Sequence, residues 1–405
     1  MHFFPILSTL RRHRTAAILI VAEIALTCAI VCNAVFLIRD RLARMDQPSG
    51  VVEDELVLAR LAGIGARADR AAVTAQDLAA LRQIPGVKFA AVTNMVPFGG
   101  SSWNTSIGLV PDSVDSLSSG MYFGSADLVE ALGVRIVSGR DFTSDEFRDF
   151  DDVQATRTKV PAILLSRGLA ERLFPDKNPV GQAVYATGRD PVRVVGVYEH
   201  LARPNDMSTK ERARWSMILP ITPAFTVGGN YVLRVDPARA TEVLAAVTKT
   251  LERVDPNRIF LDRQRFSEMR ENYFRKDRAM AYLLVGVSLA LLVVTALGVV
   301  GLASFWVQQR TRQIGVRRAL GATRGDILRY FQLENFILAT IGIVLGMALA
   351  YAINLWLMQK YQIPRLPASF LPIGATLLWL LGQIAVLGPA LRASLIPPAI
   401  ATRSV

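Results

Sequence analysis

The residues with most chemical capacity in this chain are arginines. The stretch RQIGVRRALGATRGDI, residues 312–327, holds four of them in sixteen positions. A guanidinium presents its N–H donors in a rigid fork, so closely spaced arginines can grip carboxylates bidentately. Bond-making chemistry has thinner support. The three histidines, His2, His13 and His200, are too scattered for a zinc site or an HExxH protease. There is no G-x-S-x-G elbow for His200 to serve as base, and no G-x-x-x-x-G-K-[ST] loop to cradle a nucleotide. The acid run Asp145, Glu146, Asp149, Asp151 and Asp152 lacks the glycine turn and ligand spacing of a calcium loop and reads as solvated. The chain is therefore expected to be no enzyme, without a cofactor or metal of its own.

The elements that must position the arginines are oily. Hydrophobic residues make up 51% of the 405, and long segments run almost without charge. Each exceeds the roughly 20 residues an α-helix needs to cross a hydrocarbon core. The expected layout has transmembrane helices at 16–38, 279–307, 331–358 and 368–391. The arginines orient them: Arg11, Arg12 and Arg14 lead, six more lie in 308–330 against the single acid Asp326, and Arg392 and Arg403 follow the last span. By the positive-inside rule the segments 1–15, 308–330 and 392–405 lie in the cytoplasm, with 39–278 and the short loop 359–367 outside. The formal charge of +12 is thus mostly an orientation signal, since 39–278 balances 33 Lys and Arg against 31 Asp and Glu. Nucleic acid is excluded as a partner. A cleaved signal peptide is disfavoured, because the first apolar run is too long and its loss would spoil the topology. Glu23 reads as a snorkelling or hydrogen-bonded group, and Cys28 and Cys32 as small packing residues on one helix face.

The outer segment 39–262 shows a repeated pattern. EDELVLARL, TAQDLAALRQI and VKFAAVTNM read as strand, helix and strand, with Thr74 and Asp77 as a capping box. NYVLRVD, a helix from Pro237 to Val254, and NRIFLD repeat it. Two β-α-β units separated in this way predict a ferredoxin-like lobe, residues 50–104 with 226–262, interrupted by a β-rich inserted lobe at 105–225. Within the insert, Gly133 should stop one helix and Ser166 should cap another. From Gln264 the chain meets no proline or glycine until Gly286, which predicts a stalk helix over 263–278 continuous with the second span as far as 310. The fold class is therefore four transmembrane helices plus a large two-lobed α+β domain.

Within 308–330, Ile314, Val316, Ala319 and Leu320 keep an apolar side flanked by Arg310, Arg317 and Arg318, which predicts a short amphipathic helix. Gly321 is placed as its left-handed stop, and Thr323 with Asp326 as the cap of the next helix. On the residues alone, this is either an interfacial hairpin that fixes topology or a docking element. Gly342, Gly346 and Ala350, followed by Asn354, form a small-residue stripe on the third span, suited to close packing within the bundle or across a dimer.

At this point the sequence resembles a family. QQRTRQIGVRRALGATRGDILRYFQLEN is similar to the signature between the second and third spans of MacB/FtsX-like permeases, also called type VII ABC transporter permeases. ALGVRIVSGRDF, LSRGLAERLFPDKNPVGQ, RVVGV and the tail PALRASLIPPAIATR resemble the family in the same order, although Gln313 stands where Glu is common. The resemblance implies a bacterial inner-membrane permease with a periplasmic MacB-like domain. It also implies a coupling helix that docks on a separate cytoplasmic ATPase dimer, which would bind the ATP and Mg. Docking then falls to Arg310, Arg312, Ile314, Gly315, Arg317, Arg318, Ala319, Leu320, Gly321 and Ala322. A second permease copy or paralogue is implied, with a periplasmic adaptor and outer-membrane duct in the efflux branch. The expected function is transmission of ATP-driven motion to the periplasmic domain for efflux of drugs, toxins or peptides. The rivals are a regulator of a cell-wall hydrolase or antibiotic-sensing complex, a lipoprotein-trafficking permease, and a solute channel that the sparse polar lining disfavours.

Overall fold

The computed structural model describes residues 14–63, 69–112, 115–186, 188–205, 212–223, 229–361 and 365–397. His2, Arg11, Arg12, His13 and Arg403 lie outside the described residues. In chain order the helices are α1 (Arg14–Met45), α2 (Arg70–Arg82), α3 (Leu128–Leu132), α4 (Phe150–Gln154), α5 (Arg167–Leu173), α6 (Ala240–Val254), α7 (Phe266–Tyr273), α8 (Arg275–Gln309), α9 (Thr311–Ala319), α10 (Arg324–Tyr361) and α11 (Leu371–Ser394). The strands are β1 (Leu56–Gly63), β2 (Val87–Thr93), β3 (Asn104–Ile107), β4 (Leu117–Phe123), β5 (Ile136–Gly139), β6 (Arg148–Asp149), β7 (Ala162–Ser166), β8 (Ala183–Val184), β9 (Val192–Tyr198), β10 (Ser216–Leu219), β11 (Ile221–Thr222), β12 (Asn230–Val235) and β13 (Arg258–Arg265). The chain divides into a membrane unit, Met1–Asp46 with Lys276–Val405, and an α/β unit, Gln47–Arg275.

In the α/β unit the first sheet has the order β13-β1-β12-β2, every neighbour antiparallel. Strands one and three of the pattern sit in the middle, which is the ferredoxin-like arrangement expected from the two β-α-β units. Alternate residues point inward, as the two-residue period requires: Val57, Ala59 and Leu61 from β1, then Tyr231, Leu233 and Val235 from β12. They meet Leu78 and Leu81 of α2 and Val243, Val247 and Leu251 of α6. The inserted lobe is a mixed sheet, β3-β4-β10-β7-β9-β5 with β8 beside β9, and β6 pairs with β11. Phe123, Ile163, Leu165, Leu169, Val194, Met217 and Leu219 form its core. The two lobes are stitched where β2 meets β4: Asn94 Nδ2 donates to Met121 O at 2.9 Å, and Phe123 N donates to Asn94 Oδ1 at 3.0 Å.

Three local expectations are corrected. Helix α2 starts at Arg70, so Thr74 lies inside it and donates back to Arg70 O at 2.9 Å. Asp77 is no cap either; its carboxylate is buried and accepts from Tyr231 Oη at 2.6 Å and Arg258 Nη1 at 2.9 Å. Ser166 precedes α5 without capping it, because its hydroxyl donates to Arg214 O at 2.7 Å and accepts from Ser216 N at 3.1 Å. The continuous helix over 263–310 is interrupted. Residues through Arg265 are held as strand, Val57 opposite Arg265, α7 begins at Phe266, and Phe274 leaves helical geometry at φ −88°, ψ 7° before α8 starts. Gly133 does stop α3, with φ 68° in the left-handed region glycine tolerates.

In the membrane unit α1, α8, α10, and α11 with its preceding turn are long and apolar enough to cross a bilayer. The chain is a membrane protein. The segment 308–330 is shared between α9 and the first turns of α10. The small-residue stripe of α10 packs on α1. A Cβ at Gly346 would sit 2.6 Å from Ala25 O, and one at Gly342 would sit 2.9 Å from Ile24 Cβ. Ala350 is fully buried, and its carbonyl accepts from Asn33 Nδ2 at 3.1 Å. Helix α8 is tied to α1 by a Thr27–Thr295 hydroxyl bond of 2.8 Å and an Arg41–Asp277 ion pair. The sulfurs of Cys28 and Cys32 lie 4.0 Å apart, buried on one face of α1.

Candidate coupling site on the segment between the second and third spans

Helix α8 ends at Gln309, and Arg310 forms the corner into α9. After Ala319 the chain closes off with Ala322 N donating to Arg317 O at 3.1 Å and Gly321 N to Arg318 O at 3.2 Å. Gly321 has φ +99°, a conformation that a side chain would strain. Thr323 and Asp326 then cap α10 reciprocally. Thr323 N donates to Asp326 Oδ2 at 3.0 Å, and Asp326 N donates to Thr323 Oγ1 at 3.2 Å. The capping carboxylate also sits in the first turn, where the helix dipole favours it. The local chemistry thus fixes helix, glycine stop, cap and helix in a tight corner.

That corner has two faces, and it sorts the ten residues assigned to docking. Ile314 and Gly315 are buried, Ile314 packing with Val307, Ile327, Phe331, Val386 and Ala390. Arg310 is 8% exposed at its side chain, and its Nη1 reaches both oxygens of Glu334, at 2.8 and 3.1 Å. Its guanidinium also lies 5.3 Å from the Trp306 ring centre. Arg318 turns to the end of α11, donating from Nη1 to Ser394 O at 3.0 Å and Ile396 O at 2.8 Å. It therefore satisfies carbonyls that the helix end leaves open. Ala322 is half-buried. Arg310, Ile314 and Arg318 thus hold the corner from the inside, with Gly315 buried beside them, while the docking expectation falls most directly on the outward residues.

Arg312, Arg317, Ala319, Leu320 and Gly321 face out. Leu320 is 82% exposed, and Val316, which the docking assignment omitted, is 45% exposed beside it. Arg312 makes no hydrogen bond or ion pair among the described residues, nor does Arg324 on the adjoining turn. Arg317 is oriented by the Tyr330 ring, 4.9 Å from its guanidinium. The outward edge is therefore basic around an apolar tip, on a base pinned from the inside. Glu334 and Trp306 are the residues the docking assignment lacked. The signal for Glu334 was present: it is one of two carboxylates in apolar spans, and such a group needs a partner. The other, Glu23, packs over Gly298, where a Cβ would meet its carboxylate at 2.6 Å.

Comparison with known proteins gives this geometry a family. The MacB-like periplasmic core domain model matches residues 21–250, and the FtsX-like permease C-terminal model matches residues 285–398. A macrolide export ATP-binding/permease protein MacB from Shewanella sp. (strain W3-18-1) is 30% identical over 227 residues, 54% of this chain and 33% of that protein. An uncharacterized ABC transporter permease YknZ from Bacillus subtilis (strain 168) is 27% identical over 226 residues, 54% of this chain and 53% of that protein. A pyoverdine export ATP-binding/permease protein PvdT from Pseudomonas aeruginosa is 25% identical over 299 residues, 71% of this chain and 41% of that protein. The matches thus span about a third to a half of these relatives' length. Among solved structures, the periplasmic region of MacB from Actinobacillus actinomycetemcomitans aligns at 14% identity and TM-score 0.35, covering 56% of this chain and 97% of that one. With one family model covering more than half of its residues and a second running from within α8 through α10 and α11, the chain belongs to the MacB-like, FtsX-type family of ABC transporter permeases.

Proposed function

We propose that this permease transmits the motion of a separate cytoplasmic ATPase dimer to its α/β unit, and that the motion drives export from the periplasm. The observation that carries the reading is the outward edge of α9: Arg312, Arg317 and Leu320 are exposed on a helix whose inner face is fastened to α10 and α11. Positive-inside counting supports a cytoplasmic position for that edge and for the arginines flanking the first and last spans, and membership of the permease family supports a bacterial inner membrane. The α/β unit then lies outside. A second permease, identical or paralogous, completes the assembly, with an adaptor and outer-membrane duct in the efflux arrangement. Relatives named for macrolide export and for pyoverdine export favour efflux, of drugs, toxins or peptides, over hydrolase regulation. No path through the helices is required. Of the two span carboxylates, Glu334 is paired with Arg310, and Glu23 lies half-buried beside Gly298.

The test reverses charge only on the outward edge. Arg312→Glu with Arg317→Glu is expected to weaken co-purification of the ATPase at least tenfold, since like charges across an interface cost several kcal/mol. Membrane insertion and thermal stability should hold, because neither guanidinium is buried. Leu320→Asp should act in the same direction by spoiling the apolar tip. Undiminished ATPase recovery with both variants would sink the docking reading, and recovery of a cell-wall hydrolase instead would favour the regulatory one.

A further inference from the structure

The α/β unit contains a strained aromatic socket. Residues Val96-Pro97-Phe98-Gly99 make a turn closed by Gly99 N donating to Val96 O at 3.1 Å. Phe98 occupies its third position with φ +59°. Turns with proline second and positive φ third take glycine or asparagine there, and a bulky residue in that region is a genuine outlier. Such outliers persist where the surroundings over-determine them, and they gather at sites with a task. Here the ring is over-determined from several sides. It is 5% exposed, and it meets Phe266 with centroids 6.3 Å apart, Tyr273 at 5.5 Å and Phe274 at 5.2 Å. The Arg270 guanidinium lies 5.2 Å from its centre.

All four partners belong to α7 or to the residue that ends it, the last segment before the chain leaves the α/β unit. Arg270 also reaches the segment by which the chain enters that unit. Its Nη2 donates to Gln47 O at 2.7 Å, and it pairs with Glu53, which in turn accepts from Ser49 Oγ at 2.6 Å. Entry and exit segments are thus clasped together around one ring. The helical run is broken at Phe274, so a push arriving along α8 needs a joint to reach the sheets, and glycine at 98 would satisfy the turn without making one.

We propose that Phe98, held by Arg270 and the α7 aromatics, is the joint through which motion of the exit helix is delivered to the α/β unit; this rests on the mechanical reading above. Phe98 acts through its contacts with α7 and is in that sense a positioning residue. Phe98→Gly separates its two properties, because it suits the turn and removes the ring, whereas Phe98→Tyr keeps the ring. The test measures hydrogen exchange on the full chain in lipid nanodiscs, alone and with the ATPase recovered from wild-type membranes, with and without a non-hydrolysable ATP analogue.

In Phe98→Gly the amides of 266–274 should exchange at least tenfold faster while those of β1 and β12 keep their wild-type rates. With the ATPase bound, the nucleotide-dependent change in the α/β unit should disappear, although association and basal hydrolysis remain. Phe98→Tyr should restore both. A nucleotide response that survives unchanged in Phe98→Gly overturns the joint alone. A wild type with no nucleotide response defeats the mechanical reading and the joint with it. Unaltered protection of 266–274 in Phe98→Gly overturns the socket irrespective of the ATPase.

Discussion

Replacing Asp77 with alanine is expected to destabilise the α/β unit by about 3–5 kcal/mol, the usual cost of breaking one side of a buried ion pair. The side chains of Asp77 and Arg258 are both fully buried, and their 2.9 Å contact ties α2 to β13 across the ferredoxin-like core. Tyr231 on β12 donates to the same carboxylate oxygen, so three elements converge on one acid. Burial, with the Asp77 charge beside it, holds the Tyr231 phenol well above its ordinary pKa and keeps it a donor at any working pH. Removing the carboxylate leaves a guanidinium and a phenol without their common acceptor. For a unit of this size about 2–4 °C is lost per kcal/mol, so the melting transition should fall on the order of 10 °C. Asp77→Asn retains an acceptor and should cost less. The apolar pair Asp77→Leu with Arg258→Met should recover much of the loss, because a buried ion pair is weak evidence of net stabilisation. A shift of only a degree or two in Asp77→Ala would show that the pair contributes nothing and that the core is held by Leu78, Leu81, Val243 and their neighbours alone.

The same acid illustrates what could and could not be read from the letters. Thr74-x-x-Asp77 is a capping box by spacing, and Thr323-x-x-Asp326 is another; one caps a helix and one does not. The difference lies in Arg258, 181 residues downstream, which no local pattern reports. The spans, the ferredoxin-like order and the Gly133 and Gly321 stops were legible because they rest on run length, two-residue alternation and positive φ, all local. The break at Phe274 was hidden for the opposite reason. No proline or glycine marks it, and the strand pairing of Arg265 with Val57 together with the grip on Phe98 overrides local helix propensity. In the segment 308–330, charge counting found the arginines but could not sort them. Arg310 and Arg318 carry the same charge as Arg312 and Arg317, and only their ends, on Glu334 and on the α11 carbonyls, turn them inward.

Glu334→Ala should therefore injure coupling more than any substitution on the exposed edge, by a different route. Glu334 is 1% exposed and Arg310 8%, so removing the acid strands a buried guanidinium, again at a cost of about 3–5 kcal/mol. The stranded group cannot be re-solvated where it stands, beside Trp306 and beneath the α9 corner. The cheapest response is for α9 to swing and carry Arg310 toward water. Local opening is what trypsin reads, since cleavage tracks the population of the open form. Cleavage after Arg310 and Arg318 should accelerate at least tenfold in the intact protein in nanodiscs. ATPase stimulation should fall at least tenfold as Arg312, Arg317 and Leu320 lose their fixed posture. Glu334→Gln, which keeps an acceptor, should show a smaller version of both. Exchanging the charges, Arg310→Glu with Glu334→Arg, should regain part of the protection after Arg318. If Glu334→Ala left proteolysis and stimulation at wild-type levels, the corner would have to be held by Ile314 packing and Arg318 capping alone. The two-sided arrangement of α9 would then lose its inner half.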